Sequence, residues 1–168
     1  MTKSESHKRQ TLQFSSPIGQ LQLVSEGDYL IELNWEGQHR EITDARNGTS
    51  KLLTAAASEL DLYFNGAITE FTVPCRPKGT TFQVQVWNEL RHIQWGVTCT
   101  YVEIAQRIGK PRGSRAVGTA IGRNPLPLII PCHRVIGSNG SLTGFSGGLD
   151  IKARLLSLEN ESTLMLRD

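Results

Sequence analysis

Hydrophobic and polar residues alternate along the first third of the chain. Short β-rich runs cover residues 11–14, 21–24 and 29–35, and turn-forming residues at 16–19 and 26–28 separate them. A period of two residues is typical of strands that bury one face, and such turns favour hairpin connections. The pattern predicts a small antiparallel sheet.

After a polar stretch, the spacing of the apolar residues changes from that of a strand to that of a helix. Apolar residues recur at every fourth position, at Leu52, Ala56, Leu60 and Phe64. Thr49 or Ser50 can cap the start of this helix, and Gly66 stands where a left-handed residue would end it. Two prolines and a glycine within 74–79 then interrupt regular structure. We predict a domain boundary near Gly79, with one domain over 1–79 and another over 80–168.

The second half of the chain begins with helical patterns. One apolar stripe predicts a helix that ends before Gly96, and its members are Phe82, Val86, Leu90 and Ile93. Thr100 and Glu103 have the spacing of a capping box, so a second helix starts there and stops at 109–111. Ser114 can cap a third helix that runs through Ile121.

The second and third of these helices are short and joined by a tight turn, which is typical of a helix-turn-helix, although many packed helix pairs look alike. Taken together, the elements predict an α+β fold. It consists of a small N-terminal domain with an antiparallel sheet and a helix, followed by a helical domain of the winged helix-turn-helix type.

Charge is distributed unevenly along the chain. The net charge is +2, but residues 1–79 carry 8 Lys/Arg against 10 Asp/Glu, whereas 80–168 carry 10 against 6. No acidic residue lies between Glu103 and Asp150, a window that holds Arg107, Lys110, Arg112, Arg115, Arg123 and Arg134. Such a field attracts a polyanion. An ordinary solvated surface is the alternative.

The composition favours a protein that stays inside the cell. No stretch approaches the roughly 20 apolar residues of a membrane span, and the polar first ten residues lack the apolar middle of a signal peptide. The three scattered cysteines do not form a disulfide framework, which fits a reducing compartment. We therefore expect a cytoplasmic protein, associated with the nucleoid if it is prokaryotic, in which one cysteine can be a working thiol.

The segment 124–135 carries the candidate chemistry. Three prolines interleaved with leucine and isoleucine predict a stiff, extended apolar strand that ends at Cys132. His133 and Arg134 follow directly, and a positive environment favours the nucleophilic thiolate. A cysteine next to a histidine is more often structural than catalytic, so the motif alone leaves both roles open.

The sequence Pro131-Cys132-His133-Arg134-Val135, preceded by Asn124-Pro125, resembles the active-site signature of the O6-alkylguanine-DNA alkyltransferases. The resemblance continues through 82–87, Tyr101, 114–118 and 146–149 and on to Lys152 and Leu155-Leu156, and so covers the whole second half. The first half is compatible in length and pattern, but its motifs are generic.

The resemblance implies direct repair of DNA. The alkyl group of O6-alkylguanine, and of O4-alkylthymine, would move to Cys132 in one irreversible displacement, since a thioether is a poor leaving group. The nucleotide would be flipped out of the duplex to reach the thiol. The implied partner is double-stranded DNA containing the lesion, without a cofactor or membrane. We expect a monomer in solution, with cooperative assembly on DNA left open.

The resemblance also implies a role for each catalytic residue. Cys132 matches the alkyl acceptor, His133 the base that takes its proton through a water, and Glu159 the carboxylate that orients this histidine. Tyr101 matches the proton donor near N3 of guanine, and Asn124 the hinge that ties the recognition helix to the active-site turn. Without the resemblance, His133 would be interpreted as a phosphate or surface contact and Glu159 as a solvated helix residue. Tyr101 would be a tyrosine packed on the surface, and Asn124 an ordinary helix terminator.

The remaining implied residues contact DNA or the flipped base. Arg115 matches the side chain that fills the gap in the base stack, in a helix that enters the minor groove. The other residues expected to contact DNA are Ala116, Gly118, Tyr101 and Arg123. The substrate pocket is expected to comprise Pro127, Val135, Phe145, Ser146 and Gly147, with the carbonyls of Cys132 and Val135 reading the exocyclic amine. Many family members have tyrosine in place of Phe145, which we expect to adjust substrate preference.

Certain relatives hold zinc in the first domain, but here that half offers only His7, His39 and Cys75, without clustered spacing. We expect no metal.

Three other functions remain as alternatives: a non-catalytic protein that binds alkyl lesions, a cysteine hydrolase that uses Cys132 and His133, and a helix-turn-helix regulator that responds to cysteine methylation. Cys132 argues against the lesion-binding alternative, because such relatives lack a cysteine at that position.

Overall fold

The computed structural model describes residues 8–38, 45–47 and 50–165. The chain divides into two compact units between Lys78 and Gly79. In the first unit, three antiparallel strands follow one another: β1 (Arg9–Ser16), β2 (Gly19–Glu26) and β3 (Tyr29–Trp35). The turn between β1 and β2 places Ser16 opposite Gly19, whose φ of 112° is rarely adopted by residues with a side chain. The predicted antiparallel strands are confirmed.

A fourth strand, β4 (Ala45–Asn47), was not predicted. It pairs in parallel with β1 and gives the sheet the order β3-β2-β1-β4. The strand is three residues long and contains no apolar alternation, so the sequence carries no local signal for it. Its pairing depends on contacts with a strand far away in the chain, which single-sequence patterns do not report.

Helix α1 (Lys51–Phe64) packs against this sheet. Ser50 is its N-cap and accepts a hydrogen bond from the Leu53 amide at 3.1 Å, while Gly66 has a φ of 69° just after its end. Thr49, the other predicted cap, lies outside the described residues. The buried face consists of Leu53, Ala56, Leu60 and Tyr63. The predicted stripe is thus correct at Ala56 and Leu60 but wrong at Leu52 and Phe64. In a helix of 3.6 residues per turn, each step of four residues turns the side chain about 40° further around the axis, so a strict four-residue stripe leaves the buried face.

The segment after α1 returns to the edge of the sheet. Leu30 in β3 donates its amide hydrogen bond to the Pro74 carbonyl at 2.9 Å and accepts one from the Arg76 amide at 2.9 Å. The Arg76 guanidinium also stacks over the Tyr29 ring, 3.8 Å from its centroid. These contacts make residues 74–76 part of the first unit.

The described part of the second unit contains four α-helices and two short strands: α2 (Thr81–Leu90), β5 (Cys99–Thr100), α3 (Tyr101–Arg107), α4 (Ser114–Gly122), β6 (Val135–Ile136) and α5 (Leu149–Met165). The predicted capping box of Thr100 and Glu103 is present at the start of α3. Helix α2 ends at Leu90, so Ile93 is buried after the helix rather than within it. Strands β5 and β6 pair in parallel.

Helices α3 and α4 form the predicted helix-turn-helix, and the α+β fold class is confirmed. The turn between them uses Gly109 at a φ of 73°, and the Lys110 amide donates to the Ala105 carbonyl at 2.8 Å. Ser114 is not the cap of α4 but its first helical residue, after Gly113. From α2, the Trp87 indole N–H donates to the Ala120 carbonyl at 2.8 Å and so ties α2 to α4.

The predicted extended strand before Cys132 is wrong, because residues 124–131 form a buried turn. The Ile130 amide donates to the Leu126 carbonyl at 2.8 Å, and Leu128 has a φ of 72°. A left-handed leucine costs about 1–2 kcal/mol, which the burial of Leu126, Leu128 and Ile130 offsets. The prolines restrict their own φ angles but leave the turn at Leu128 free to form. In the described part of the chain, no helix combines the length and apolar character needed to cross a membrane.

Candidate active site

Cys132 opens a single turn of 3₁₀ helix that spans Cys132–Arg134. Its amide donates to the Ile130 carbonyl at 2.7 Å, and its own carbonyl accepts a hydrogen bond from the Val135 amide. Only 4% of Cys132 is exposed. Backbone hydrogen bonds on both sides therefore hold the thiol in a fixed, nearly enclosed position.

Burial governs the ionisation of the Cys132 thiol. Burial raises its pKa to about 11, although a hydrogen bond with Asn124 and the charge of Lys152 act in the opposite direction. Asn124 and Lys152, rather than the side chains of His133 and Arg134, supply the largest side-chain effects that lower the pKa of this thiol; that His133 and Arg134 favour the thiolate stays a prediction. Both side chains contact Glu159, so sequence adjacency alone does not direct them to the sulfur.

His133, Arg134 and Glu159 form a buried cluster. The Nε2 of His133 lies 2.6 Å from Oε1 of Glu159, and Nη2 of Arg134 donates to the same oxygen at 2.9 Å. The Nε of Arg134 donates to Oε2 of Glu159 at 2.9 Å, and its Nη1 donates to the Ile93 carbonyl at 2.6 Å. Helix α5 supplies Glu159 and the 3₁₀ turn supplies the other two side chains, so the cluster fixes the turn to the helix.

The charge states of this cluster follow from its contacts. Burial opposes ionisation of Glu159, but the hydrogen bonds and charges of His133 and Arg134 outweigh it and lower the pKa of the carboxyl to about 2. Burial lowers the pKa of His133 more than Glu159 raises it. When Glu159 is ionised and His133 is neutral, Nε2 is the ring nitrogen that carries the proton and donates a hydrogen bond to the carboxylate. The Nδ1 of His133 is then the nitrogen that can accept a proton, as a general base must.

Asn124 connects the end of α4 to the turn before Cys132. Its Nδ2 donates to the Ile130 carbonyl at 2.8 Å, and its Oδ1 accepts from the Leu126 amide at 3.0 Å. It also forms a hydrogen bond with the Cys132 thiol. Asn124 thus lies between the end of α4 and the turn that leads to the candidate nucleophile, and its hinge role stays a prediction.

Tyr101 is linked to Val135 through two other residues. The Tyr101 hydroxyl donates to the Thr143 carbonyl at 3.0 Å, and the buried Nζ of Lys152 donates to the same carbonyl at 2.9 Å. The same Nζ donates to the Val135 carbonyl at 2.5 Å. Each carbonyl oxygen has two lone pairs, and Lys152 uses one of those of Val135.

The other predicted pocket residues occupy two segments. Pro127 is buried in the turn before Cys132. Phe145, Ser146 and Gly147 lie in the loop between β6 and α5, where Phe145 is half-buried and Ser146 is exposed. The Gly148 amide donates to the Phe145 carbonyl at 3.0 Å and closes this loop just before α5 begins.

The predicted DNA-contacting residues lie on or next to α4. Arg115 and Ala116 are exposed in its first turn, and Arg123 is exposed at its C-terminal end. Gly118 faces the ring of Tyr101, since a Cβ at this position would lie 3.7 Å from that ring. Tyr101 and α4 are therefore neighbours.

Five of the six cations in the acid-free window are exposed: Arg107, Lys110, Arg112, Arg115 and Arg123. Arg134 is 6% exposed and belongs to the internal cluster, so it does not contribute to the surface field as predicted. Sequence reasoning missed this structural role of Arg134 and gave no role to Lys152. The sequence did contain one signal for these roles. Lys152, Leu155 and Glu159 have helical spacing, so the two charged residues share one face with an apolar residue, which indicates that the two charged side chains are buried.

The described residues contain no group of three or more His, Cys, Asp or Glu side chains that could hold a metal ion. His7 and His39 lie outside the described residues. Cys99 is buried in β5, and burial raises the pKa of its thiol.

A buried Cys-His-Glu arrangement next to an exposed basic helix-turn-helix is typical of a DNA-binding protein with a nucleophilic thiol. Comparison with known proteins gives the family. Residues 11–77 match the ribonuclease-like domain, and residues 81–161 the DNA binding domain, of 6-O-methylguanine DNA methyltransferase. The chain belongs to this family.

Similar proteins come from archaea and bacteria. The methylated-DNA–protein-cysteine methyltransferase of Methanosarcina acetivorans is 47% identical over 148 residues, which cover 87% of this chain and 95% of that protein. The protein of the same name from Mycobacterium leprae is 44% identical, over 89% and 91% of the two chains. The crystal structure of Mycobacterium tuberculosis OGT in complex with DNA matches with a TM-score of 0.83 and 41% identity, over 95% of this chain and 99% of that one.

Proposed function

We propose that this protein repairs alkylated DNA by moving the alkyl group from O6 of guanine to its own Cys132, once per molecule. The observation that carries the proposal is the placement of Cys132 beside Asn124, which joins it to the recognition helix, and within the turn that His133 and Glu159 fix to α5. The names of the similar proteins, which describe transfer from methylated DNA to a protein cysteine, support the same reaction.

The reaction starts from a neutral thiol and a neutral imidazole. The proton of Cys132 passes through a water to Nδ1 of His133, and Glu159 stabilises the imidazolium that forms. The sulfur attacks the alkyl carbon, so the S–C bond forms while the C–O6 bond breaks and its electron pair stays on the purine. Tyr101 gives a proton to N3, which lets guanine leave neutral. The thioether has no good leaving group, so the product form is permanent.

Base recognition requires a flipped nucleotide, because the alkyl carbon cannot meet a buried thiol from within the duplex. Arg115 fills the gap in the stack from the first turn of α4, and Ala116, Gly118 and Arg123 lie along the same helix surface. The pocket is formed by Pro127, Val135, Phe145, Ser146 and Gly147. The Tyr101 hydroxyl, which donates to Thr143 in the free protein, changes its partner to the base.

The proposal extends to the organisation of the chain and to its substrates. Residues 1–79 form an N-terminal domain and residues 80–168 the DNA-binding and transfer domain. The protein acts as a cytoplasmic monomer on double-stranded DNA. O4-alkylthymine is a second substrate, since it too presents an alkyl carbon on an exocyclic oxygen.

The test is intact mass measurement after incubation with a duplex that contains O6-methylguanine. We expect one methyl group per molecule in the wild-type protein and none in Cys132→Ser. Cys99→Ser removes another buried thiol and is the matched control, which should still gain one methyl. Lesion loss that exceeds one equivalent would indicate a turnover enzyme such as a hydrolase, and tight binding without any mass change would indicate a lesion-binding protein. Either result would overturn the proposal.

A further inference from the structure

Lys152 is a buried cation for which the proposed transfer reaction has no use. None of its surface is exposed, and its Nζ donates to two main-chain carbonyls. The ion pairs among the described residues do not include it. A buried ammonium is costly unless its donors are satisfied, so the fold has to keep these two carbonyl contacts.

The two carbonyls belong to opposite sides of the candidate site. Val135 follows the turn that Cys132 opens, and its amide donates to the Cys132 carbonyl. The Thr143 carbonyl accepts from Lys152 at 2.9 Å and from the Tyr101 hydroxyl at 3.0 Å. A continuous chain of contacts therefore runs from the Cys132 turn to Tyr101, and Lys152 is its middle member.

The loop that carries Thr143 has little rigidity of its own. Five of the twelve residues 137–148 are glycine, and Gly140 and Gly144 have φ angles of 81° and 45°. Glycine loses more conformational freedom on folding than other residues, so such a loop needs contacts that select one conformation. The bond from Lys152 ties the middle of this loop to α5 and so fixes the oxygen that Tyr101 uses.

In the proposed reaction the Tyr101 hydroxyl leaves this oxygen for the base. An acceptor that loses its donor and gains no other is costly. Because Lys152 keeps its own bond to the Thr143 carbonyl, the oxygen stays satisfied when the hydroxyl leaves. Lys152 thus lowers the cost of releasing the proton donor.

We propose that Lys152 is a positioning residue that holds the Tyr101 hydroxyl at a fixed place relative to Cys132, through the carbonyls of Thr143 and Val135. The inference rests on the proposed function, in which Tyr101 gives a proton to N3 while the electron pair of the C–O6 bond stays on the purine. Sulfur and proton donor act on the same base, so a misplaced donor slows the reaction.

The test is a double-mutant cycle in single-turnover transfer from a duplex with O6-methylguanine. Lys152→Met keeps the length of the side chain but loses its donors, and it should slow transfer about tenfold or more. In a Tyr101→Phe background the same substitution should slow transfer less than about threefold, because the donor that it positions is already absent. Equal slowing in both backgrounds would overturn the inference.

Alkylation by iodoacetamide is the control for a direct effect of Lys152 on the thiol, since its charge acts on Cys132. The sulfur forms a bond to the methylene carbon, iodide leaves without needing a proton, and the thiol proton goes to the buffer. Peptide mass spectrometry distinguishes Cys132 from Cys75 and Cys99. Lys152→Met should slow this reaction less than it slows methyl transfer. Equal slowing of the two reactions would place the effect on the sulfur and contradict the role through Tyr101.

The result is separable from the proposed function. A wild-type protein that gains no methyl group rejects the repair function and this inference with it, whereas independent effects of the two substitutions in a protein that does transfer reject this inference alone.

If Lys152→Met does not fold, ¹⁵N NMR of the Lys152 side chain decides. Its signal should shift in Tyr101→Phe, which removes the second donor from the shared Thr143 carbonyl, and should stay in place in Tyr29→Phe, which alters a tyrosine of the first unit. An unchanged signal in Tyr101→Phe would contradict the inference.

Discussion

At the scale of single residues, the reactivity of Cys132 is set by contacts that its neighbours in sequence do not reveal. His133 and Arg134 follow it directly, yet both turn toward Glu159, and burial keeps the thiol protonated. In the proposed reaction the nucleophilic sulfur therefore forms when His133 takes the proton.

The high pKa of Cys132 predicts a stability change in alkaline solution. A group whose pKa is raised by folding contributes stability below its unfolded pKa and loses it as the pH rises toward the folded value. Since the folded value is about 11, the wild-type protein should lose about 2 kcal/mol of unfolding free energy between pH 8 and 10.5.

Urea unfolding across this pH range checks the prediction. Cys132→Ser is the control, because a serine hydroxyl does not titrate there while all other groups do so equally. The two proteins should differ in slope above pH 9. Parallel curves would show that the thiol is not held protonated by the fold.

Residue roles were predictable from the sequence only where a motif carried them. Cys132, His133 and Asn124 lie within one short segment, and their proposed roles come from the resemblance of that segment to the family signature. Arg134 lies in the same motif, but its role depends on Glu159, 25 positions away. Lys152 likewise acquires its position only from carbonyls of Val135 and Thr143. Tertiary partners of this kind leave no local pattern.

At the scale of elements, local hydrogen-bonding signals were the most reliable. The capping box of Thr100 and Glu103 needs only four consecutive residues, and α3 begins where it predicts. β4 and the turn at Leu128 depend instead on distant strands and on burial, so the sequence did not predict them. The helix-turn-helix was predictable because both of its helices and its glycine turn are local features.

Helix α4 leads to a prediction about nucleotide flipping. Arg115→Ala should slow transfer from O6-methylguanine in a duplex by about tenfold or more, because unstacking a base costs a few kcal/mol that the arginine helps to offset. Transfer from the free base O6-benzylguanine needs no flipping and should change much less. Single-turnover rates on the two substrates provide the comparison.

The control for this prediction is Arg91→Ala, which removes the same charge at an exposed site outside the acid-free window. Its rates on duplex and free base should stay in the wild-type ratio. Equal slowing of both substrates by Arg115→Ala would show that Arg115 supports the fold or the pocket rather than the flipped state.

At the scale of the whole molecule, charge separates the two halves of the chain. The exposed cations of the acid-free window all lie in the second unit, on and around α3 and α4. Contacts between such cations and phosphates release counterions, so the affinity for DNA falls as salt is added. The buried Arg134 should take no part in this effect.

Binding to an undamaged duplex tests this distribution. The slope of log affinity against log salt concentration is negative. Lys110→Gln should reduce its magnitude by about 1, as expected for one lost phosphate contact. Arg91→Gln removes a charge elsewhere on the second unit and should leave the slope unchanged. Similar slopes for both variants and the wild-type protein would place the DNA interface away from the helix-turn-helix.

The most direct measurement of the central claim is peptide mapping of the protein after reaction with a duplex carrying isotopically labelled O6-methylguanine. The account predicts that the label lies on Cys132 alone, at one equivalent per molecule, with Cys75 and Cys99 unlabelled. Label on either other cysteine, or repair of the duplex without label on the protein, would contradict it.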